Sequence, residues 1–305
     1  MKSIIRIGTR KSPLALWQAE SVASQLEHLG HSTEIVPIVS SGDKNLKKPL
    51  YDLGITGVFT KDLDIALLNN QIDIAVHSLK DVPTQLPQNI ELIAFLERDF
   101  PQDVLVRRKE AKHLSMEELK LATSSLRRRA FWMKNFGKQE FADIRGNVQT
   151  RLKKLDGGIA DATLFSLAGL KRMEMDIEFE HLPFMLSAPA QGVIAVAGNS
   201  SNIELNTLIS NINHRPTEIC VTIERQFLQT LEGGCTAPIG AFASFLDDGK
   251  IHFQGWLCSL DGTKCLDKTE VFHYTEDINY GENFAKNLLE QGGKELMQEI
   301  KNTLN

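Results

Sequence analysis

The chain lacks several features that would assign its class at once. Its 305 residues contain no apolar run that approaches the roughly 20 residues of a membrane-spanning helix, and Arg6 interrupts the apolar start that a secretory signal would need. The four cysteines have neither CxxC spacing nor a following histidine pattern, which argues against a zinc site. We therefore predict a protein without membrane span, secretion signal or metal, in a reducing cytoplasm.

An excess of positive charge is also missing. The formal net charge is -5, which argues against broad nucleic-acid binding through a generally positive surface. The sequence has no P-loop and no repeat of solenoid length. Hydrophobic residues at 42% and charged residues at 24% are near the globular average, and the length suggests two or three domains. Any basic site must therefore be local.

The first part of the chain predicts alternating strands and helices. Strands are expected at residues 4–7, 35–39, 72–76 and 90–96, and helices over residues 13–29 and 61–68. Ser12 can cap the first helix, with Pro13 at its first position. Arg10 and Ser12 would then lie in a loop at a helix N-terminus, where an anion is favoured. The polar, glycine-punctuated residues 41–57 predict a mobile lid.

One buried strand is followed directly by polar residues. His77, Ser78, Lys80 and Asp81 come after residues 72–76, and open α/β sheets bind ligands at the carboxyl ends of their strands. Asp81 is then either a turn residue before a proline or a catalytic group, and its position beside Lys80 favours the second without deciding it. His77 has no identifiable partner, so we interpret it as structural.

A second α/β unit follows a predicted crossing at residues 97–101. Strands are expected at residues 103–106, 121–123, 141–144 and 160–164, and helices over residues 127–136, after Asn147 and through Arg172. Ser115 and Glu118 form a capping-box pattern. The small residues 187–192 then predict the return of the chain to the first domain.

The pattern changes at Arg215. A long predicted helix ends at Gly233, alternating strands such as residues 251–257 follow, and a terminal helix runs through Leu288. We expect a smaller α+β third domain.

Seven basic residues crowd one segment of an otherwise acidic chain: Arg127, Arg128, Arg129, Arg145, Arg151, Lys171 and Arg172. A solvated basic face is the usual explanation of such a cluster. Several of these residues, however, lie in strand-to-helix loops, where guanidinium groups can bind carboxylates or phosphates in bidentate fashion. Both interpretations are open from the residues alone.

Cys235 lies on a predicted turn. Gly233 and Gly234 can end the preceding helix in a left-handed conformation, and Pro238 prevents a return to helix. An ordinary packed cysteine is the commoner explanation of such a thiol. Little side-chain bulk flanks it, so it could also carry a covalently attached cofactor.

The motifs in this order resemble the porphobilinogen deaminase, or hydroxymethylbilane synthase, family nearly from end to end. They are residues 8–18 (GTRKSPLALWQ), 77–83 (HSLKDVP), 123–128 (TSSLRR), 145–151 (RGNVQTR), 168–172 (AGLKR), 191–192 (QG) and 231–240 (LEGGCTAPIG). Such an ordered set is far more specific than any one of its members.

The resemblance implies an α/β fold with two doubly wound lobes, similar to those of periplasmic binding proteins, and a smaller α+β C-terminal domain. The first lobe would comprise residues 1–97 and 190–212, the second lobe residues 98–189, and the third domain residues 213–305. It further implies a transferase of porphyrin and haem biosynthesis. Four porphobilinogens would join head to tail on a dipyrromethane cofactor, with loss of four ammonias and hydrolytic release of hydroxymethylbilane.

Site roles are also implied by the resemblance. Asp81 would be the catalytic group and Cys235 the thioether attachment point of dipyrromethane. Cofactor contacts would come from Ser78, Lys80, Thr123, Ser124, Ser125, Arg127, Arg128, Arg145 and Gly146. Substrate contacts would come from Arg10, Ser12, Gln18, Phe59, Arg151, Arg172 and Gln191. In the lid, Thr56 stands where the family often has lysine, so it cannot supply that charge to a substrate carboxylate.

The expected partner is the small molecule porphobilinogen, with no nucleic acid and no membrane, and the expected state is a cytoplasmic monomer. The alternative from another class is a two-lobed solute-binding protein that holds an anion without chemistry. Cys235 on a third domain argues against that alternative, because a simple binder needs no covalent anchor.

Overall fold

Three sheets organise the part of the chain that the computed structural model describes, residues 4–39, 60–231 and 237–304. The strands are β1 (Ile5–Arg10), β2 (Thr33–Ile38), β3 (Ile74–Ser78), β4 (Ile90–Phe95), β5 (Asp103–Arg107), β6 (Leu121–Ala122), β7 (Phe141–Ala142), β8 (Ala162–Ser166), β9 (Glu180–His181), β10 (Ile194–Asn199), β11 (Ile239–Phe245), β12 (Ile251–Cys258) and β13 (Cys265–Phe272). The helices are α1 (Pro13–His28), α2 (Lys61–Leu68), α3 (Leu126–Phe136), α4 (Val148–Asp156), α5 (Leu167–Arg172), α6 (Ile203–Ile209), α7 (Arg215–Thr230), α8 (Tyr280–Leu288) and α9 (Lys294–Leu304).

The first sheet has the order β2-β1-β3-β10-β4. Strand β1 is parallel to β2 and β3, whereas β10 is antiparallel to β3 and β4. Helix α1 begins where Ser12 accepts from the Ala15 amide and Pro13 takes the first turn, as the sequence predicts. Its apolar side covers the sheet with Ala19, Val22 and Leu26, all fully buried.

The second sheet repeats this arrangement with the order β7-β6-β8-β5-β9. Strand β6 is parallel to β7 and β8, and β5 is antiparallel to β8 and β9. Helix α3 packs Phe131 and Trp132 into the core of this lobe. Parallel neighbours align their carboxyl ends, so the loops after β6 and β8 open at the same edge.

The third domain is an antiparallel sheet, β11-β12-β13, covered by α7 and the C-terminal helices. Strand β12 alternates buried and half-buried residues, as a sheet with one covered face requires. Phe227 of α7 and Phe253 of β12 form its core. The predicted class, two α/β lobes and a smaller α+β domain, is confirmed.

Several element boundaries differ from the predictions. The strand predicted at residues 4–7 extends through Arg10, so Arg10 ends a strand instead of lying in a loop. The strands predicted at residues 72–76 and 160–164 both begin and end two residues later. Ser115 and Glu118 do form the reciprocal bond of a capping box, from the Ser115 amide to Glu118 at 2.8 Å, but it closes a turn and not a helix.

Two features of the third domain are absent from the predictions. A second helix, α9, follows α8 after an irregular turn at Leu289–Gly293, in which Gly292 has a φ of +104°. Cys258 and Cys265 face each other across β12 and β13 and form a disulfide. No helix in the described ranges is long and apolar enough to cross a membrane.

Candidate active site

A cleft of about 670 Å³ lies where the two lobes and the third domain meet. The carboxyl ends of β1 and β3 contribute Arg10 and Ser78 from the first lobe, and the second lobe contributes the loops before α3 and α4. Leu228, Ala237 and Ile239 line the cleft from the third domain. All three domains therefore supply part of its wall.

Asp81 projects from a short turn directly after β3. Leu79–Asp81 form one turn of 3-10 helix, closed by the Val82 amide on the Leu79 carbonyl at 3.1 Å. Leu79 and Val82 are both buried, and the Leu79 amide donates to the Val193 carbonyl at 2.9 Å. Two apolar anchors thus fix the turn, while Lys80 and Asp81 line the cleft.

Lys80 is a half-buried cation beside Asp81. Its Nζ donates to Oε1 of Gln191 at 3.2 Å. Burial is the main reason why the pKa of Lys80 is lowered to about 8. The positive charges of Arg128 and Arg127 also lower this pKa, whereas the carboxylates of Asp81 and Asp103 raise it. The charged form of Lys80 is therefore short of compensating negative charge in the free protein.

Asp103, the first residue of β5, is the fully buried anion behind the cleft wall. Its carboxylate lies 2.7 Å from Nη2 of Arg127 and 2.7 Å from Nη2 of Arg128. Burial alone would raise its pKa, but the two arginines and Lys80 hold the pKa well below the ordinary aspartate range. Asp103 therefore stays ionised and orients both guanidinium groups.

Arg151 is an enclosed cation of the wall that no carboxylate contacts among the described residues. Its Nη2 donates to Oγ1 of Thr163 and to the Leu164 carbonyl, and its guanidinium lies 4.3 Å from the centre of the Phe165 ring. Burial, followed by repulsion from Arg128, lowers its pKa to about 9. Its Nε is buried, with no acceptor among the described residues.

Charge therefore does not balance in this wall. Among the described residues, the four cations Lys80, Arg127, Arg128 and Arg151 share two nearby carboxylates, the buried one of Asp103 and that of Asp81 beside Lys80. Enclosed charges are costly unless they are paired. A ligand that brings several carboxylates would pair them, so these residues fit a polycarboxylate such as dipyrromethane, whose rings carry acetate and propionate groups.

Three helix N-termini add to the attraction for anions. Ser12, Ser125 and Asn147 cap α1, α3 and α4 through their side-chain oxygens, and all three residues line the cleft. The unpaired amides of a first helical turn favour negative charge. Gly146 has a φ of +117°, and a Cβ there would lie 2.7 Å from Thr150, so only glycine fits the loop before α4.

Several predicted contact residues also hold the wall together. The hydroxyl of Ser124 donates to the Ile144 carbonyl at 3.1 Å and accepts from the Ile144 amide at 3.0 Å, which joins the loops after β6 and β7. Oγ1 of Thr123 accepts from the Ser125 amide at 3.2 Å. Burial lowers the pKa of Arg145, which lines the same wall.

A smaller recess of about 80 Å³ adjoins Asp81 on the first-lobe side. Arg10, Ser12 and Gln18 line it, and Nε2 of Gln18 donates to Oγ of Ser78 at 2.8 Å. His77 forms its floor, and burial together with nearby Arg10 lowers the histidine pKa to about 4. A neutral, enclosed His77 agrees with its predicted structural role.

Arg172 and Gln191 lie where the chain crosses between the lobes. Arg172 pairs with Asp99 at 2.9 Å and donates to the Gly192 carbonyl at 2.7 Å. Gln191 donates to the Pro101 carbonyl at 2.6 Å and to Asp103 at 3.2 Å. Both side chains therefore link the two segments, around Asp99 and around Gln191, in which the chain crosses between the lobes. Both also line the cleft.

The described residues of the predicted site come together in these two cavities: Asp81, Ser78, Lys80, Thr123, Ser124, Ser125, Arg127, Arg128, Arg145, Gly146, Arg10, Ser12, Gln18, Arg151, Arg172 and Gln191. Cys235, Phe59 and the lid with Thr56 lie outside the described residues. Arg129 and Lys171 do not line the cleft; Arg129 pairs with Asp143 and Lys171 lies over Phe179. The sequence prediction missed Asp103, although an aspartate at the start of a buried apolar strand is itself a signal of a buried anion.

Comparison with known proteins agrees with this geometry. A family model described as porphobilinogen deaminase, dipyromethane cofactor binding domain, matches residues 5–207, and the C-terminal domain model of the same enzyme matches residues 218–290. A porphobilinogen deaminase of Desulfitobacterium hafniense is 40% identical over 306 residues, 98% of each chain. The chain belongs to the porphobilinogen deaminase family.

Other relatives extend the match across distant organisms. The chloroplastic porphobilinogen deaminase of Pisum sativum is 40% identical over 95% of this chain and 82% of its own. A probable porphobilinogen deaminase of Methanocaldococcus jannaschii is 46% identical over 79% of this chain and 83% of its own. Among solved structures, the L-cystine solute receptor of Neisseria gonorrhoeae aligns at 18% identity with a TM-score of 0.40, over 75% of this chain and 92% of the receptor.

Membership confirms the resemblance that the motifs indicate. The chain is a transferase of tetrapyrrole biosynthesis, and its residues 5–207, which include both α/β lobes, form a dipyrromethane-binding domain. A solute-binding protein without catalysis is not favoured.

Proposed function

We propose that this member of the family carries dipyrromethane in thioether linkage on Cys235 and uses Asp81 as its principal catalytic group. Four porphobilinogens are added head to tail, four ammonias leave, and water releases hydroxymethylbilane. The observation that carries this proposal is the set of under-compensated cations, Lys80, Arg127, Arg128 and Arg151, in the wall beside Asp81.

Binding in this proposal depends on carboxylates. Lys80, Ser78, the loop at residues 123–125, Arg127, Arg128, Arg145 and Gly146 would hold dipyrromethane, which when bound supplies the pyrrole carbon that accepts each new unit. Arg10, Ser12, Gln18, Phe59, Arg151, Arg172 and Gln191 would receive the incoming porphobilinogen. Bidentate guanidinium–carboxylate pairs would replace the missing counter-charges of the free wall.

Asp81 would act on the leaving amine of porphobilinogen. Loss of ammonia needs a proton on the nitrogen and leaves a cation shared with the pyrrole N–H. A carboxyl group between the two can donate the proton and then, as an anion, stabilise the cation. The turn at Leu79–Asp81 holds this carboxyl at the cleft surface, next to the Arg10 recess.

We also propose the three-domain division at residues 1–97 with 190–212, 98–189 and 213–305. The distribution of the three sheets supports it, since each sheet draws its strands from one of these units. A cytoplasmic monomer that binds porphobilinogen and no nucleic acid is proposed with it, supported by the net charge of -5 and by the biosynthetic family.

Substitution of Asp81 tests the catalytic assignment. Asp81→Asn keeps the size and hydrogen bonding but removes the transferable proton and the negative charge, so it should fold, load its cofactor and lose most ammonia release. Asp81→Glu keeps the chemistry on a longer arm and should retain more activity than Asp81→Asn. Ammonia release by folded, cofactor-loaded variants is the measurement, and near wild-type rates for Asp81→Asn would remove Asp81 from the mechanism.

A further inference from the structure

Arg225 of α7 is an enclosed arginine that does not line the cleft. Its Nη1 donates to the Val82 carbonyl at 2.9 Å and its Nη2 to the Pro83 carbonyl at 2.7 Å. These are the two residues directly after Asp81. Burial lowers the pKa of Arg225 to about 10, and within residues 4–39, 60–231 and 237–304 no carboxylate pairs with it.

Helix α7 also contacts the turn at Leu79–Asp81 through a second residue. Val221 lies one helical turn before Arg225 on the same face of α7. It is fully buried and packs in one cluster with Leu79 and Val82, the residues on either side of Lys80 and Asp81. The turn that carries Asp81 is therefore fixed to α7 by packing and by two hydrogen bonds.

Helix α7 also belongs to the domain that contains Cys235. Its Leu228 lines the cleft, and the chain continues from its end at Thr230 towards residues 232–236. Arg225 thus connects the turn of the first lobe with the helix that leads to the proposed attachment point.

We propose that Arg225 is a positioning residue that sets the Asp81 carboxylate relative to the third domain. The inference rests on the proposed catalytic role of Asp81. The planar guanidinium presents two donors in fixed geometry, one for each carbonyl, which a lysine ammonium cannot reproduce. Misplacement of a reacting group by about 1 Å can cost about a hundredfold in rate.

The first test separates positioning from binding. In cofactor-loaded enzyme, Arg225→Gln should lower kcat for porphobilinogen about tenfold or more with KM within about twofold, because Arg225 does not contact the cleft. Arg225→Lys keeps the charge and one donor direction and should recover part of kcat. The matched control is Arg215→Gln on the same helix, whose guanidinium pairs with Glu218 and Glu276 at the surface and whose loss should leave kcat unchanged.

A double-mutant cycle shows whether Arg225 acts through Asp81. Once Asp81→Glu has displaced the carboxyl, Arg225→Gln should cost less than about threefold in kcat, because the geometry that it protects is already lost. Where Arg225→Gln folds too poorly to assay, Arg225→Lys takes its place in the cycle, and intact mass and the unfolding midpoint confirm loading and folding.

The outcomes distinguish a failure of the proposed role of Arg225 from a failure of the proposed role of Asp81. An equal loss of kcat in both backgrounds, a loss confined to KM or cofactor loading, or no loss at all would overturn the role of Arg225 alone. Near wild-type kcat in Asp81→Asn, by contrast, would remove the proposed role of Asp81 and with it this inference.

Discussion

The arginines around the cleft differ in what they touch in the free protein, and that difference predicts what each substitution does. Arg127 and Arg128 share Asp103, whereas Arg151 has carbonyl and hydroxyl acceptors but a buried Nε without one. Removal of an under-compensated enclosed charge relieves a desolvation cost. Removal of one partner of a buried pair has the opposite effect, because it leaves the other charge buried without a counter-charge.

Arg151→Leu should therefore separate ligand handling from folding. We expect kcat/KM for porphobilinogen to fall at least about tenfold, since each lost charge-assisted contact is worth about 1.5–3 kcal/mol. The unfolding midpoint of the cofactor-free protein should stay the same or rise. The matched control is Lys171→Leu, from an exposed basic residue of the same cluster that lies over Phe179 outside the cleft, which should change kcat/KM less than about twofold. An unchanged kcat/KM in Arg151→Leu would instead assign the basic cluster to a solvated face.

Single residues also mark the limit of sequence reasoning at this site. Ser12, Ser125 and Asn147 are recognisable as helix caps because capping depends on local chain geometry. Asp103 is not recognisable as the anion between two arginines, because its partners come from α3 and meet it only through the packing of the second lobe.

At the scale of elements, α3 connects the active site with the third domain. It carries Arg127 and Arg128 at its start. Further along, the hairpin between β12 and β13 packs against it. A Cβ on Gly262 of this hairpin would lie 2.4 Å from the Ala130 carbonyl and 2.6 Å from the Lys134 amide, and φ is +72°. Only glycine permits this approach of hairpin and helix.

Gly262→Ala should be more destabilising than its matched control, Gly249→Ala. Gly249 has a similar φ of +77° in the β11–β12 hairpin, but nothing lies within 4 Å of an added Cβ. Both variants bear about 1 kcal/mol or more of backbone strain, and Gly262→Ala adds about 1–3 kcal/mol of steric overlap. Thermal unfolding midpoints provide the comparison. Equal shifts would show that the hairpin does not need close contact with α3.

Element types were predictable where local periodicity decides them, as in α1, α2 and α3. The boundaries of the strands were not predictable, because an apolar residue indicates burial whether or not it pairs with a neighbouring strand. Ile72 and Ala160 are buried, yet both precede their strands, and this explains the two-residue displacement of β3 and β8. Pairing of Cys258 with Cys265 depends in the same way on the register of β12 and β13, which cysteine spacing does not reveal.

At the scale of the whole molecule, Glu224 of α7 joins all three domains. It is fully buried and accepts from Arg98 at 2.8 and 3.0 Å, from the Ala190 amide at 2.6 Å and from the Ala243 amide at 2.7 Å. Its partners lie in the two lobe crossings and in β11. One carboxylate thus fixes both segments that cross between the lobes to the third domain.

Glu224→Gln should destabilise the protein by about 3–5 kcal/mol, because it leaves Arg98, whose side chain is 11% exposed, without its counter-charge. The unfolding midpoint should fall accordingly. Glu276→Gln, which removes an exposed partner of Arg215, is the matched control and should change stability by about 0.5 kcal/mol or less. A similar small change for Glu224→Gln would contradict a structural role for the buried pair.

The central claim is that the cationic cleft holds a polycarboxylate cofactor attached to Cys235, and mass spectrometry tests it most directly. Intact wild-type enzyme should be heavier than its sequence by two linked pyrrole units, and peptide mapping should place the addition on Cys235. Cys235→Ala should lack the added mass, whereas Cys220→Ala, which alters a buried cysteine of the same domain, should retain it. Active wild-type enzyme with an unmodified Cys235 would contradict the account.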